Sequence, residues 1–203
     1  MVAQIAGLSR RDDPRAARRQ ARFAEILDAA WQIAHENGLA AVALHEVARR
    51  VGLRQPSLYG YIASKAGLYD AMYAQAYRAL IDEVAAVPRA ADPRKALVTV
   101  SRATLEFAVA DAARQQLLFQ RTIPGFEPST ESYALAQEFL DGVIDLLRAA
   151  GVTDPADVDI YTALIAGLGA QQSSNDPGGE RWTRHLERLL EMFFHHLDEK
   201  ETR

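Results

Sequence analysis

Six side chains that hydrogen-bond readily stand close together in the chain: Arg54, Gln55, Ser57, Tyr59, Tyr61 and Lys65. Arg can chelate the edge of guanine and Gln the edge of adenine. Arg54, Gln55 and Ser57 fall where a short helix is expected to begin, the end that meets base edges when such a helix lies in a major groove. The hydroxyls of Tyr59 and Tyr61 can reach phosphate, and their rings can pack on sugar or on a thymine methyl. Lys65, in the first turn of the next helix, adds positive charge to that helix's free N–H groups, a combination suited to clamping phosphate.

Other chemistry finds less support. The histidines are His35, His45, His185, His195 and His196, and the adjacent pair at 195 and 196 points about 100° apart on a helix. Glu187, Glu191 and His195 share one helical stripe, which reads either as a metal face or as a solvated acidic face. The chain has no Cys, which excludes a disulfide scaffold, thiolate metal sites and a thiol nucleophile. His-Glu-x-x-His, Gly-x-Ser-x-Gly, a phosphate-binding glycine loop and a paired-acid motif are all missing from the sequence. The expectation is a protein that is not an enzyme, with no metal and no cofactor.

The elements that must position these groups read as helices throughout. In 203 residues, 49% hydrophobic and 25% charged, there is enough apolar surface for a core. Neither period-2 segments nor Asn-Gly or Asp-Gly hairpin turns stand out. Phe23, Ile26, Leu27, Ala30 and Ala34 mark one face of a helix over 15–37, started by Asp13-Pro14 and stopped by Gly38. Two short helices are predicted over 44–51 and 55–61, with Gly52 between them; Leu58 and Ile62 anchor the second. Ser64 is the N-cap of a long helix that ends before Pro88. Further helices are expected from Asp92-Pro93 to about 110, over 112–122, from Ser129 to about 151, from Asp154-Pro155 to about 172, and over 180–198. This makes about nine helices. No apolar run approaches the roughly 20 residues of a membrane span, and the start lacks the pattern of a signal peptide. A cytoplasmic protein without membrane contact is expected.

Charge divides unevenly. The net of −4 conceals ten Lys and Arg against seven Asp and Glu in residues 1–70, and thirteen against twenty in the remainder. Arg10, Arg11, Arg15, Arg18, Arg19 and Arg22 crowd the start. A basic head on an acidic body suits a protein whose N-terminal end meets phosphate; a solvated basic tail is the alternative.

Residues 44–61, with the helix over 15–37 packed across them, fit a helix-turn-helix. Gly38, then Leu44-His-Glu-Val-Ala-Arg-Arg-Val-Gly52, then Ser57-Leu-Tyr-Gly-Tyr-Ile-Ala-Ser-Lys65-Ala-Gly-Leu68 resembles the tetracycline-repressor-like (TetR) family of bacterial regulators, over about 50 residues. The resemblance implies an all-helical homodimer. A DNA-binding head, 1–64 with its basic arm, would be joined by a shared long helix to a ligand-binding and dimerisation domain, 65–203. It places Gln55, Ser57, Tyr59, Tyr61 and Lys65 on positions the family uses for DNA. Three departures stand out. Ala43 replaces a usual Ser or Thr cap, Arg54 replaces a usual Ser cap, and Ile62 replaces a usual Phe.

In the body, Leu186, Leu190, Phe193 and Phe194 follow helical spacing, as do Leu164 and Leu168 in the preceding helix among small residues. These six are candidates for a four-helix dimer interface, with an intramolecular core as the alternative. A dimer would carry two recognition helices roughly 34–36 Å apart, matching half-sites one turn apart. Tyr73, Tyr77, Phe107, Phe119, Phe126 and Tyr133 are candidates for the wall of a mostly apolar ligand pocket, with Arg102, Gln116, Gln120 and Arg121 as polar anchors. The functional expectation is a regulator, a repressor by preference, released from a palindromic double-stranded DNA operator by a small apolar effector. A helical small-molecule or partner-binding protein that does not bind DNA is the competing class, and an unrecognised hydrolase a second alternative.

Overall fold

A computed structural model describes residues 13–201, all of whose regular structure is helical. The expected positions Arg10 and Arg11 lie outside the described residues. Nine α-helices follow in order: α1 Pro14–Asn37, α2 Leu44–Arg50, α3 Gln55–Leu58, α4 Lys65–Ala86, α5 Pro93–Ala110, α6 Ala112–Phe119, α7 Thr130–Ala149, α8 Pro155–Asn175 and α9 Leu186–Glu201. Single 3₁₀ turns stand at Leu39–Ala41 and Thr183–His185. None of the described helices is long and apolar enough to cross a membrane.

Helix starts follow the caps in the sequence. Asp13, Asp92, Asp111, Ser129 and Asp154 each accept a hydrogen bond from a backbone N–H of the first turn, which satisfies a donor the helix cannot. Ser64 does the same for α4, accepting from the Gly67 N–H at 3.0 Å. Gly38 closes α1 at φ 81° and Gly52 makes the turn after α2 at φ 67°, left-handed values at which a Cβ would be strained.

Four boundaries differ from expectation. The helix expected over 55–61 ends at Leu58. Beyond it Gly60 and Tyr61 bond back three residues, to Ser57 and Leu58, so the chain tightens into turns at a glycine of low helix propensity. α6 stops at Phe119, short of the expected 122, where Gln120 turns extended at φ −132° and ψ 138°. α8 runs on to Asn175. α9 begins at Leu186 rather than near 180, because a 3₁₀ turn and a loop occupy the preceding residues.

The chain falls into two compact units that part between Leu68 and Tyr69, inside α4. In the first, Ile26, Ala30, Ile33, Val42, Val47, Leu58, Ile62 and Leu68 are buried and form the core of the three short-turn helices. Arg50 joins Glu36 of α1 to Glu46 of α2.

In the second unit α5 is central and packs against α6, α7, α8 and α9. Its core joins Leu97 and Leu105 of α5, Leu147 of α7, Tyr161 and Leu168 of α8, and Leu186, Leu190, Phe193, Phe194 and Leu197 of α9. Asp70 accepts from both the Ser129 N–H (2.7 Å) and the Ser129 hydroxyl (3.0 Å), which ties the start of α7 to α4. Gln172, 1% exposed, holds the loop after α8. Its amide nitrogen donates to the carbonyls of Asp176 and Gly179, and its oxygen accepts from the N–H groups of Trp182 and Thr183.

Candidate nucleic-acid interface and body cavity

Packing fixes the orientation of α3. Leu58 and Ile62, 1% and 3% exposed, point into the head, so the opposite side of this one-turn helix must face out. Arg54, Gln55, Ser57 and Tyr59 are all exposed there, Tyr59 at 49%. The Gln55 amide donates to the Tyr59 hydroxyl at 3.4 Å, so these two lie side by side at i, i+4. Arg54 is the N-cap of α3 and Ala43 that of α2; neither side chain caps its helix. Arg54 is therefore an exposed residue at the start of α3 whose side chain does not cap the helix.

Tyr61 and Lys65 are more tightly held than the sequence suggests. Arg19 of α1 lies over the Tyr61 ring, 5.4 Å from its centroid, and donates to the Gly60 carbonyl at 2.9 Å. Lys65 Nζ donates to the Ala40 carbonyl at 3.1 Å. Arg22 donates to Glu25 and to the Val51 carbonyl. Part of the basic start thus fastens the head's own turns, a role invisible to charge counting. Glu46 meets Arg49 and Arg50, whose guanidiniums bring its carboxyl down from the ordinary 4.5 to about 2.

In the body the structure distributes the expected ligand and dimer residues between cavity wall and core. Of the six aromatic candidates, Phe119 lines a cavity of about 220 Å³ between α5, α6, α7 and α8. Tyr73, Tyr77 and Phe107 are buried core. Tyr73 meets Tyr77 at a tilt of 55° with centroids 4.8 Å apart and meets Phe126 at 6.5 Å, and Phe107 carries Arg114 over its ring. Burial holds the Tyr77 hydroxyl well above the ordinary tyrosine range. Tyr133 is half exposed and does not line the cavity. Large rings at helical spacing here fill core before they wall a pocket. Among the expected anchors, Gln120 lines the cavity while Arg102 pairs with Glu187 at 2.6 Å. The cavity's buried amide is Gln115, one position before the expected Gln116 and on the inward side of α6.

Leu168, Leu186, Leu190, Phe193 and Phe194 are buried within the single chain at 0–8% exposure, and Leu164 is half-buried against the same core. On α8 and α9 the large apolar groups left outside are Ile160, 44% exposed and followed by exposed Ala163 and Gly167, and Met192, 66% exposed. No group of three or more His, Cys, Asp or Glu among the described residues could hold a metal. On the acidic stripe Glu187 pairs with Arg102 and His195 Nε2 lies 3.3 Å from Glu199.

Residues 26–72 match the family model described as bacterial regulatory proteins, tetR family. The HTH-type transcriptional regulator Rv1816 of Mycobacterium tuberculosis is 28% identical over 124 residues, 58% of this chain and 51% of that protein. The match thus spans about half the length of the curated relatives. The fold is similar to that of PfmR, a TetR family transcriptional regulator from Thermus thermophilus (TM-score 0.65, 18% identity, 84% of this chain and 97% of that one). It is also similar to FadR from Bacillus subtilis, solved in complex with stearoyl-CoA (TM-score 0.64, 14% identity, 85% and 97%).

Proposed function

From a chain that belongs, through its N-terminal domain, to the tetR family of bacterial regulatory proteins, we infer a ligand-responsive repressor that binds a palindromic operator as a homodimer in the cytoplasm. It has no catalytic step. The observation that carries this reading is α3: Leu58 and Ile62 lock it from behind, and Arg54, Gln55, Ser57 and Tyr59 stand exposed in front. In a major groove Arg54 and Gln55 read base edges, while Tyr59, Tyr61 and Lys65 meet sugar and phosphate. The second chain docks through the outward faces of α8 and α9, around Ile160 and Met192. These are large apolar side chains that solvent otherwise covers. The 220 Å³ cavity is the effector site. Helix α4 runs without a break from Lys65 into the body, so a shift of its far end on ligand entry moves the head. A coupling of about 1–3 kcal/mol weakens operator binding roughly 5–150-fold.

Fluorescence anisotropy against DNA flanking the protein's own reading frame tests the reading. The native chain binds one such fragment more tightly than scrambled DNA of equal length. Lys65→Ala weakens binding to both and lowers the salt slope by about one unit. Equal, weak binding to every fragment would instead favour a helical small-molecule-binding protein whose head contacts something other than DNA.

A further inference from the structure

Every residue lining the body cavity is uncharged. Its polar groups divide into those already committed and those that are not. Thr104 and Thr162 donate their hydroxyl protons to the carbonyls one turn back, at 2.9 Å in each case. Ser101 donates to the Leu97 carbonyl at 2.6 Å, so in the 2.7 Å contact between Ser101 and Tyr161 the tyrosine is the donor. Burial pushes the Tyr161 hydroxyl up to about 12, which keeps that proton in place at neutral pH. The amides of Gln115 and Gln120 remain. Gln120 sits at the exposed rim, whereas Gln115 is 4% exposed. The Gln115 amide makes no hydrogen bond to a described residue and opens onto the cavity rather than being sealed within the packing. Its nitrogen lies beside Gly169, where even a Cβ would come within 3.4 Å.

A buried amide without a partner costs free energy unless something else supplies one. A carboxylate or phosphate in this cavity would meet no counter-charge, an arrangement that is strongly unfavourable. The phosphates of an acyl-CoA would meet the same lack of counter-charge. Resting on the effector-site reading above, we propose that the cavity takes a compact, neutral, mostly apolar molecule bearing one carbonyl or hydroxyl group, read by the Gln115 amide. This class differs from the charged thioester bound by the Bacillus subtilis neighbour.

The test is isothermal titration of the full chain, without DNA, with three probes: ε-caprolactam, hexanoate of matched heavy-atom count, and stearoyl-CoA. Caprolactam binds saturably, at least about tenfold more tightly than hexanoate, and stearoyl-CoA does not bind. Gln115→Leu, which preserves volume, weakens caprolactam about tenfold, as expected for loss of one hydrogen bond to a buried neutral group. Tighter or equal binding of hexanoate, binding of stearoyl-CoA, absence of caprolactam binding, or a folded Gln115→Leu chain with native caprolactam affinity would each overturn the proposal. Should that variant not fold, the ranking of the probes on the native chain decides. Operator binding measured on the same preparation separates the two readings. A chain that binds DNA but prefers the anions loses this inference alone. A chain that binds caprolactam but no DNA loses the regulator reading alone.

Discussion

The two units place their available hydrogen-bonding groups on opposite sides of their surfaces. In the N-terminal unit the core is purely apolar around α3, and Arg54, Gln55, Ser57 and Tyr59 stand in solvent. In the C-terminal unit polar groups are drawn inside: Gln115, Ser101, Ser132, Asp157 and Gln172 are all buried. Exposed groups are free to meet a large, solvated partner and cost the fold little. Buried groups must find partners within the chain or in a small guest, so they tie function to stability. A contact surface and an apolar cavity therefore make different demands on the same kinds of side chain.

Substitutions that remove a group from each region sharpen the contrast. The largest effect belongs to Gln172→Leu, which leaves the Trp182 and Thr183 N–H groups and two loop carbonyls without their partner; urea unfolding monitored by tryptophan fluorescence reads a loss of about 3–4 kcal/mol. Leu58→Ala removes the anchor of α3 from a fully packed site and costs about 3 kcal/mol by the same measurement. Gln55→Ala does the reverse of Gln172→Leu. Stability stays within about 0.5 kcal/mol, while preference at one base position, read by selection from a randomised operator, drops by about 1–3 kcal/mol. A Gln55 variant that loses stability instead would erase the contrast.

The smallest effect is one of pH. The folded carboxyl of Glu46 sits near 2 against an ordinary 4.5, held down by Arg49 and Arg50. A lowered folded value means that the carboxylate contributes its stability above about pH 4.5 and loses it as pH falls toward 2. Stability of the native chain and of Glu46→Gln should therefore converge below pH 4.5, and the variant's acid limb should be flatter. Parallel acid limbs would remove Glu46 from the acid response. The cluster lies at the surface, with Arg49 exposed and Glu46 and Arg50 half-buried, so solvent screening keeps the difference small.

The sequence was most readable where one residue type decides local geometry. Asp13, Asp92, Ser129 and Asp154 each begin a helix, and Gly38 and Gly52 turn the chain, because caps and left-handed positions act within a few residues. The positions in α3 were legible for the same reason: Leu58 and Ile62 as anchors imply an outward face. Interiors were less so. A helical stripe such as Leu186, Leu190 and Phe193 announces a buried face without saying what buries it, and here it is the chain itself. Gln115 and Gln116 differ by one helical step, and nothing local says which amide turns inward. Gln172 resembles any polar residue near a helix end until the loop that folds back onto it is seen.

Arg19 stands 41 residues from Gly60 in the chain, yet it grips that carbonyl and lies across the Tyr61 ring. The Tyr61 ring is thus already held in place before any partner arrives. If this turn meets DNA as proposed, the ordering entropy that an unrestrained tyrosine would lose on contact has already been lost in folding.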